Sequence, residues 1–428
     1  MRVLLINPNR YRCPPVIPLG LEYLLTSLRA HGHEARVLDL CFIDSLERAL
    51  SEVEGALIDR YDLVGVSIRN VDTVLFQNNE FFLPDIRRIV QVVEGRGLPV
   101  VLGGSGFSIA PDSVLRYMGA SYGIVGPGES AMLKLLTDLE HGSTDYTILD
   151  GWQLGFERGL SHVRGNDLDY TRYLSAGGIV GFETQKGCPH RCSYCVEANT
   201  TYGIKDPQRV VEEISTLARR GFRQFHLCDA EFNLDLAHCK SFLRALIGED
   251  PGIAWTLYMV PVNYDKELFA LLRDSHADLV TLSVCSDARE QARAGYTMDN
   301  VAEIIDLCRR YCIRLAVDLL CGFPSEPKDS VRRAIDFFKE HRPQNVGVNF
   351  YLRVYERTPL TKEILRLPIV DQHLLISPEV EEVPHDRFPF LAPTFYAGLT
   401  LEEVGSMIGE DPLFRIEGFQ RTVNYQRT

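Results

Sequence analysis

GIVGFETQKGCPHRCSYC, residues 178–195, runs from a short apolar segment into three cysteines, Cys188, Cys192 and Cys195, spaced C-x-x-x-C-x-x-C. An apolar run of this length reads as a buried strand, which leaves the thiols in the loop that follows it. Three thiolates from one loop can take three corners of a metal site, and soft sulfur selects zinc, copper(I) or an iron–sulfur cluster. A structural zinc site needs a fourth ligand and usually paired C-x-x-C hairpins. His190 lies inside the loop but is poorly placed to close the same tetrahedron. A [4Fe–4S] cluster held by three cysteines leaves one iron open to a small ligand. The bland alternative is a chance group of buried thiols.

The segment is the first of six strand–helix units. Later strands are read at QFHLCD, AWTLYMV, LVTLSV, RLAVDLL and NVGVNFYL, with helices such as PQRVVEEISTLARRG, DKELFALLRDS, MDNVAEIIDLCRRYC and DSVRRAIDFFKEH between them. Six such units over residues 178–362 predict a partial (βα)6 TIM-like barrel, with its chemistry at the carboxyl ends of the strands. Upstream, residues 1–140 alternate in the same way: RVLLINP, EARVLDL, LVGVSI, PVVLGGSG and YGIVGPGE read as strands of a doubly wound, Rossmann-like parallel sheet. Residues 141–177 lose the rhythm and read as a linker. Residues 363–428 read as a small C-terminal region that caps the barrel or lines a substrate pocket. The stretch HDRFPFLAPTFY is suited either to that lining or to plain packing.

Composition narrows the function class. The chain has 428 residues, 45% of them apolar and 24% charged, with a formal net charge of −13. That acidity opposes binding to nucleic acid, which rests on lysine and arginine. The N-terminal apolar run meets Asn7 and Pro8 before reaching the ~7–15 residues of a secretory signal or the ~20 of a membrane helix. Eleven cysteines, most of them scattered among apolar elements, fit reduced thiols and a cytoplasmic enzyme without a membrane partner.

Residues 178–362 resemble the radical S-adenosylmethionine (SAM) superfamily. The resemblance implies a cluster on Cys188, Cys192 and Cys195, with the amino and carboxylate groups of SAM on its open iron and Tyr194 near the adenine. It implies a SAM amino-group contact from LCDAEFN, residues 227–233, which departs from the common Gly-Gly-Glu form and leaves Asp229 and Glu231 both open. SVCSDAREQARAGYT brings Ser286 and Arg293 toward the ribose and carboxylate, and DLLCGFPSEP brings Gly322 against the adenine. NFYLRVYERTPL matches the sixth strand and its ending.

Residues 1–140 resemble the cobalamin-binding domain of one subclass of that superfamily, through NP, PLGLEYLLTSLRAHGHEARVLDL, VGVSIRN, VVLGGSGFS and GIVGPGE. Gly103, Gly104 and Gly106 would let backbone approach the cobalamin, Ser67 and Ser105 would offer hydroxyls, and Asn70, Gly126 and Glu129 complete the set. The Asp-x-His-x-x-Gly segment that supplies a cobalt ligand in many such proteins is absent, and His31 and His33 read as helix-end residues. A lower-face contact would come from Asn70, Val71 or Asp72.

The activity so implied is reductive cleavage of SAM to a 5′-deoxyadenosyl radical and modification of an unactivated carbon in a small molecule, foremost by cobalamin-dependent C-methylation in natural-product biosynthesis. An external electron donor such as flavodoxin or ferredoxin belongs to this reading. The alternatives are radical cyclisation, rearrangement or transfer of another SAM fragment, and a non-catalytic iron–sulfur or zinc protein. No catalytic residue is assigned.

Overall fold

In the computed structural model, which describes residues 1–156, 162, 164–380 and 390–416, each of the five N-terminal strand readings forms in place. They are β1 (Arg2–Asn7), β2 (Glu34–Asp39), β3 (Leu63–Ser67), β4 (Val100–Gly103) and β5 (Tyr122–Val125). A sixth, β6 (Ile148–Asp150), completes a parallel sheet of order β2-β1-β3-β4-β5-β6. Because β1 has β2 on one side and β3 on the other, the chain reverses direction there. That reversal opens a crevice at the carboxyl ends, where doubly wound sheets take their ligands. Val3, Leu5, Leu28, Val101 and Leu135 make up part of its buried core.

β6 corrects the reading of residues 141–177 as a linker. The segment belongs to the first compact unit, Met1–Thr73, Glu80–Val180 and Glu381–Ala392. Its attachments are polar, which is why apolar periodicity missed it. Arg164 and Glu22 form an ion pair with side chains only 1% and 2% exposed. Glu22 also accepts from Gly165 N at 2.7 Å and Tyr170 OH at 2.5 Å. Tyr173 OH donates to Asp39 at 2.8 Å.

The second unit comprises Val74–Asn79, Gly181–Val380 and Pro393–Thr428. Its sheet runs in the order β13-β12-β11-β10-β9-β8-β7. The strands are β7 (Val180–Phe182), β8 (Gln224–Leu227), β9 (Ala254–Met259), β10 (Ala277–Cys285), β11 (Arg314–Leu320), β12 (Asn345–Asn349) and β13 (Phe414–Ile416). The sheet therefore has one strand more than the six-unit reading. β13 comes from the C-terminal region, pairs in parallel with β12, and is too short to give a pattern. The same region supplies the helix Leu401–Ile408 and two strands, Leu374–Ile376 and Thr394–Tyr396, which form a small antiparallel sheet with Leu352–Arg353. Of HDRFPFLAPTFY, residues 385–389 lie outside the described residues, while Leu391, Ala392 and Phe395 are buried. Among the described residues no helix is long and apolar enough to cross a membrane.

Neighbours paired in register point to the same side of a sheet, and alternate residues to opposite sides. On one face of β8–β12 lie Phe225, Trp255, Leu257, Leu282, Val317 and Val346, all essentially inaccessible. The other face carries His226 and Thr256, which are paired, then Tyr258 with Thr281, and Ser283 with Asp318. Helices bury the first face, and the second is where polar chemistry collects.

Removing Glu22 leaves the Arg164 guanidinium buried without its carboxylate, which costs about 3–5 kcal/mol. Urea unfolding of Glu22→Ala is expected to show that loss; an unchanged midpoint would contradict the role given to residues 141–177.

Candidate functional site

The cysteine loop is closed at its neck before it is held anywhere else. Gln185 pairs with Ile204 and Lys186 with Gly203 in a short antiparallel ladder. Gly187 adopts φ +78°, and a Cβ there would lie 2.0 Å from the Thr201 carbonyl oxygen, so only glycine lets the two sides close. Inside the neck, Thr200 N donates to Cys188 O at 3.1 Å, Asn199 N to His190 O at 2.7 Å, and Cys188 N to the Thr200 hydroxyl at 3.0 Å. Ser193, between the second and third cysteines, is gripped from both sides. Its N–H donates to Glu290 at 3.0 Å, and its carbonyl accepts from Leu360 N at 2.9 Å.

Burial pushes the thiols of Cys188 and Cys195 up to about 12 and that of Cys192 to about 11; Cys192 adds to the rise at Cys188, and Cys188 and Cys192 both add to it at Cys195. They are therefore electrostatic neighbours. Among the described residues, no three His, Cys, Asp or Glu side chains gather closely enough to hold one metal ion. A cluster takes one thiolate per iron, so its ligands need not converge on a point as those of zinc must. Three buried polar atoms near this loop lack a partner: His190 Nε2, Ser193 Oγ and Glu231 Oε2. Native proteins rarely leave such atoms unsatisfied, so their grouping fits a place built for a polar or charged group.

The two acids left open by the sequence separate clearly. Asp229 accepts from Thr184 N at 2.8 Å, Thr184 Oγ1 at 2.6 Å and Gln185 N at 3.3 Å, which makes it a strut between β7 and β8. Glu231 is pushed up to about 8 by burial, with Ser283 as a hydrogen-bond partner and Asp318 near enough to add to the rise. Its charge also reaches Cys188 and Cys192. Gln185 fixes the segment by donating to Glu231 O at 2.5 Å and Phe232 O at 3.1 Å. Asn233 is spent on Val260, donating to its carbonyl at 2.8 Å and accepting from its N–H at 3.1 Å.

The Tyr194 ring lies 5.7 Å from that of Phe323, next to Gly322, and the Cys285 thiol donates to its hydroxyl. Ser286 and Gly322 meet through a residue that motif reading missed. Glu326 accepts from Ser286 Oγ at 2.5 Å, Gly322 N at 2.7 Å and Phe323 N at 3.0 Å. Arg293 touches none of these groups directly; it pairs with Glu290 at 2.8 Å, and Glu290 holds Ser193. Glu290 had a faint signal in the sequence. It stands three residues after the helix N-cap Asp287, at the acid position of a capping box, yet it turns to the cysteine loop.

In the first unit, Ser67, Asn70, Gly103, Gly104, Ser105, Gly106, Gly126 and Glu129 gather at the carboxyl ends of β3, β4 and β5. Three of the four glycines also have a packing reason to be glycine. A Cβ on Gly104 would meet Ile68 O at 2.5 Å, and one on Gly106 would meet Asn70 C at 2.9 Å, so both let neighbouring loops interlock. Ser105 Oγ donates to Arg69 O at 2.6 Å, and Gly126 N donates to Ser108 Oγ at 3.0 Å. Gly126 also packs on Trp152, 2.4 Å from where its Cβ would be. Only Gly103 keeps open space, with nothing closer to its Cβ position than Ile124 O at 4.0 Å. His31 and His33 stand just before β2, at the amino end of the sheet. Neither reaches this rim.

Two family models match the chain: Radical SAM superfamily over residues 182–338, and B12 binding domain over residues 14–136. The tryptophan 2-C-methyltransferase of Streptomyces laurentii is 27% identical over 448 residues, covering 85% of this chain and 74% of that one. The anaerobic magnesium-protoporphyrin IX monomethyl ester cyclase of Rubrivivax gelatinosus is 24% identical, covering 92% and 73%. The radical S-adenosylmethionine methyltransferase TsrM of Kitasatospora setae, solved with tryptophan substrate and the SAM analogue aza-SAM, is 26% identical. It aligns over 99% of this chain and 93% of its own with a TM-score of 0.86. The same enzyme with cobalamin and a [4Fe-4S] cluster gives a TM-score of 0.84.

Replacing Gly187 with alanine adds strain on the order of 1–2 kcal/mol from φ alone, besides the clash with Thr201. After identical anaerobic reconstitution, Gly187→Ala is expected to hold clearly less iron and sulfide than the parent chain, and equal loading would contradict the neck's role.

Proposed function

We propose that this chain, which belongs to the radical SAM superfamily and carries a B12-binding domain, transfers a methyl group to a carbon atom of a small aromatic substrate. The observation that carries this reading is the likeness, along nearly the whole chain, to a methyltransferase solved with tryptophan and a SAM analogue. When bound, the cluster, SAM and cobalamin supply the electron, the methyl group and its carrier.

The chain's own residues bind, orient and exclude water. Cys188, Cys192 and Cys195 hold the cluster, and Ser193 and His190 offer it hydrogen-bond donors through Oγ and Nε2. Glu231 receives the ammonium of SAM, whose positive charge favours the ionised carboxylate that burial alone opposes. Asp229 keeps the loop in register with β8 without touching SAM. Tyr194, Phe323 and Gly322 form the adenine wall, and Glu326 holds the Gly322 turn against Ser286. In the first unit, the rim from Ser67 to Glu129 takes cobalamin, with Gly103 as its closest backbone approach. A one-electron donor of the flavodoxin or ferredoxin kind serves the cluster.

A second reading, cyclisation without methyl transfer, is favoured by the likeness to the cyclase. Products separate the two. Anaerobic turnover with SAM and a reductant is expected to yield methylated substrate and S-adenosylhomocysteine. 5′-Deoxyadenosine in step with product marks the radical route, and cyclisation would leave S-adenosylhomocysteine absent. Glu231→Gln removes one charge-assisted hydrogen bond, a change of about tenfold or more in the KM for SAM. An unaltered KM would place the ammonium elsewhere.

A further inference from the structure

The outer surface beside the cysteine loop is neither sealed nor neutral. Leu360 N donates to Ser193 O at 2.9 Å, so the helix Pro359–Ile364 lies against the stretch between Cys192 and Cys195. Lys362 follows within the same helical turn. Helical bonding runs past Ile364, with Leu365 N donating to Thr361 O and Arg366 N to Glu363 O, both within 3.1 Å. Lys362 and Arg366, four residues apart and both exposed, therefore stand on one side of this segment. Leu365, beside them, is 50% exposed, and beyond it come Ile369 at 87% and Val370 at 80%. Those two are the most exposed large apolar residues of the second unit among the described residues. Apolar residues scattered singly on a surface are ordinary, whereas a contiguous group marks a place of contact.

The charge of this surface runs against that of the chain. A formal net charge of −13 repels acidic proteins in general. Residues 357–370 reverse the sign locally, with Arg357, Lys362 and Arg366 against Glu363, and Glu363 is itself held by Arg289 at 3.2 Å. Other exposed cations of the second unit are spent on acids: Arg209 on Glu212, Arg244 on Glu267 and Arg342 on Asp411. Among the described residues Lys362 and Arg366 have no such partner. The cysteine loop adds one exposed cation, Arg191, and one exposed acid, Glu197, and so leaves the balance positive.

We propose that this patch docks an acidic flavin-carrying electron donor, whose carboxylates meet Lys362 and Arg366 and whose apolar ground around the flavin meets Leu365, Ile369 and Val370. The inference rests on the proposed cluster and names where its electron enters. In the docked pair the partner's reduced flavin loses one electron and the cluster gains it, with no proton or bond passed between the chains. A flavin carrier fits better than an iron–sulfur carrier because the dimethylbenzene edge of the flavin ring is apolar. Charged groups at the rim steer the encounter, and the apolar centre holds it.

The test mixes the reconstituted holoprotein anaerobically with the hydroquinone form of a bacterial flavodoxin and follows bleaching of the cluster by stopped flow. Reduced methyl viologen serves as a small reductant that needs no docking surface. The second-order rate constant with flavodoxin is expected to fall about tenfold or more from low to high salt. The double variant Lys362→Glu, Arg366→Glu should lose as much at low salt, while its iron content is unchanged and its rate with methyl viologen is not lowered. Lys362→Arg with Arg366→Lys, which keeps the charge, should retain the parent rate, and Ile369→Ser should lower it without altering the salt dependence. A flavodoxin rate indifferent to the charge reversal overturns this inference alone. So does failure of flavodoxin to reduce a cluster that methyl viologen reduces, or faster reduction by a plant-type ferredoxin. A protein with no cluster that either reductant can bleach overturns the cluster and the docking surface together.

Discussion

A loop that presents three thiols cannot rely on a core to hold its shape, so its backbone polar groups must be satisfied within the loop or by its neighbours. The second unit meets this constraint at three levels. The neck is laced by the ladder of Gln185 and Lys186 with Ile204 and Gly203, the interior by bonds from Thr200 and Asn199, and the outer edge by Glu290 and Leu360 on either side of Ser193. Each support is itself anchored: Glu290 on a helix that follows β10, and Leu360 on one that follows β12. The sheet therefore places the thiols, and the thiols make no demand on the sheet's packing.

The same sheet divides its labour by face. Apolar side chains on one side bury against helices, which leaves the other side available to Glu231, Ser283, Asp318 and their neighbours. A doubly wound sheet in the first unit works differently, with its ligand crevice made from loop ends. There Gly104 and Gly106 serve loop interlocking and Gly126 the Trp152 contact, and of the four candidate glycines Gly103 alone is left with unfilled space.

How far the sequence could be read follows from what each element is made of. Buried parallel strands are continuous apolar runs, so β1–β5 and β7–β12 were legible. β6 and β13 are three residues long and carry no period. Residues 164–173 attach through an ion pair and tyrosine hydroxyls, which leave no trace in hydropathy. The cysteines were legible because ligation needs three particular side chains at fixed spacing. Asp229 and Glu231 could not be told apart, since their difference lies in partners: Thr184 and Gln185 occupy one, and the other keeps an unpaired oxygen. Glu326 was hidden for the same reason. Its role depends on a turn that brings it back onto Gly322.

The proposed chemistry depends on three thiols holding a [4Fe–4S] cluster whose remaining iron is open to SAM. Electron paramagnetic resonance of the anaerobically reconstituted, reduced protein tests it most directly, with spectra taken before and after addition of SAM. A reduced [4Fe–4S] signal that changes shape on adding SAM, and is lost in Cys192→Ala, is the predicted result. A zinc-loaded, silent protein, or a cluster signal indifferent to SAM, would contradict it.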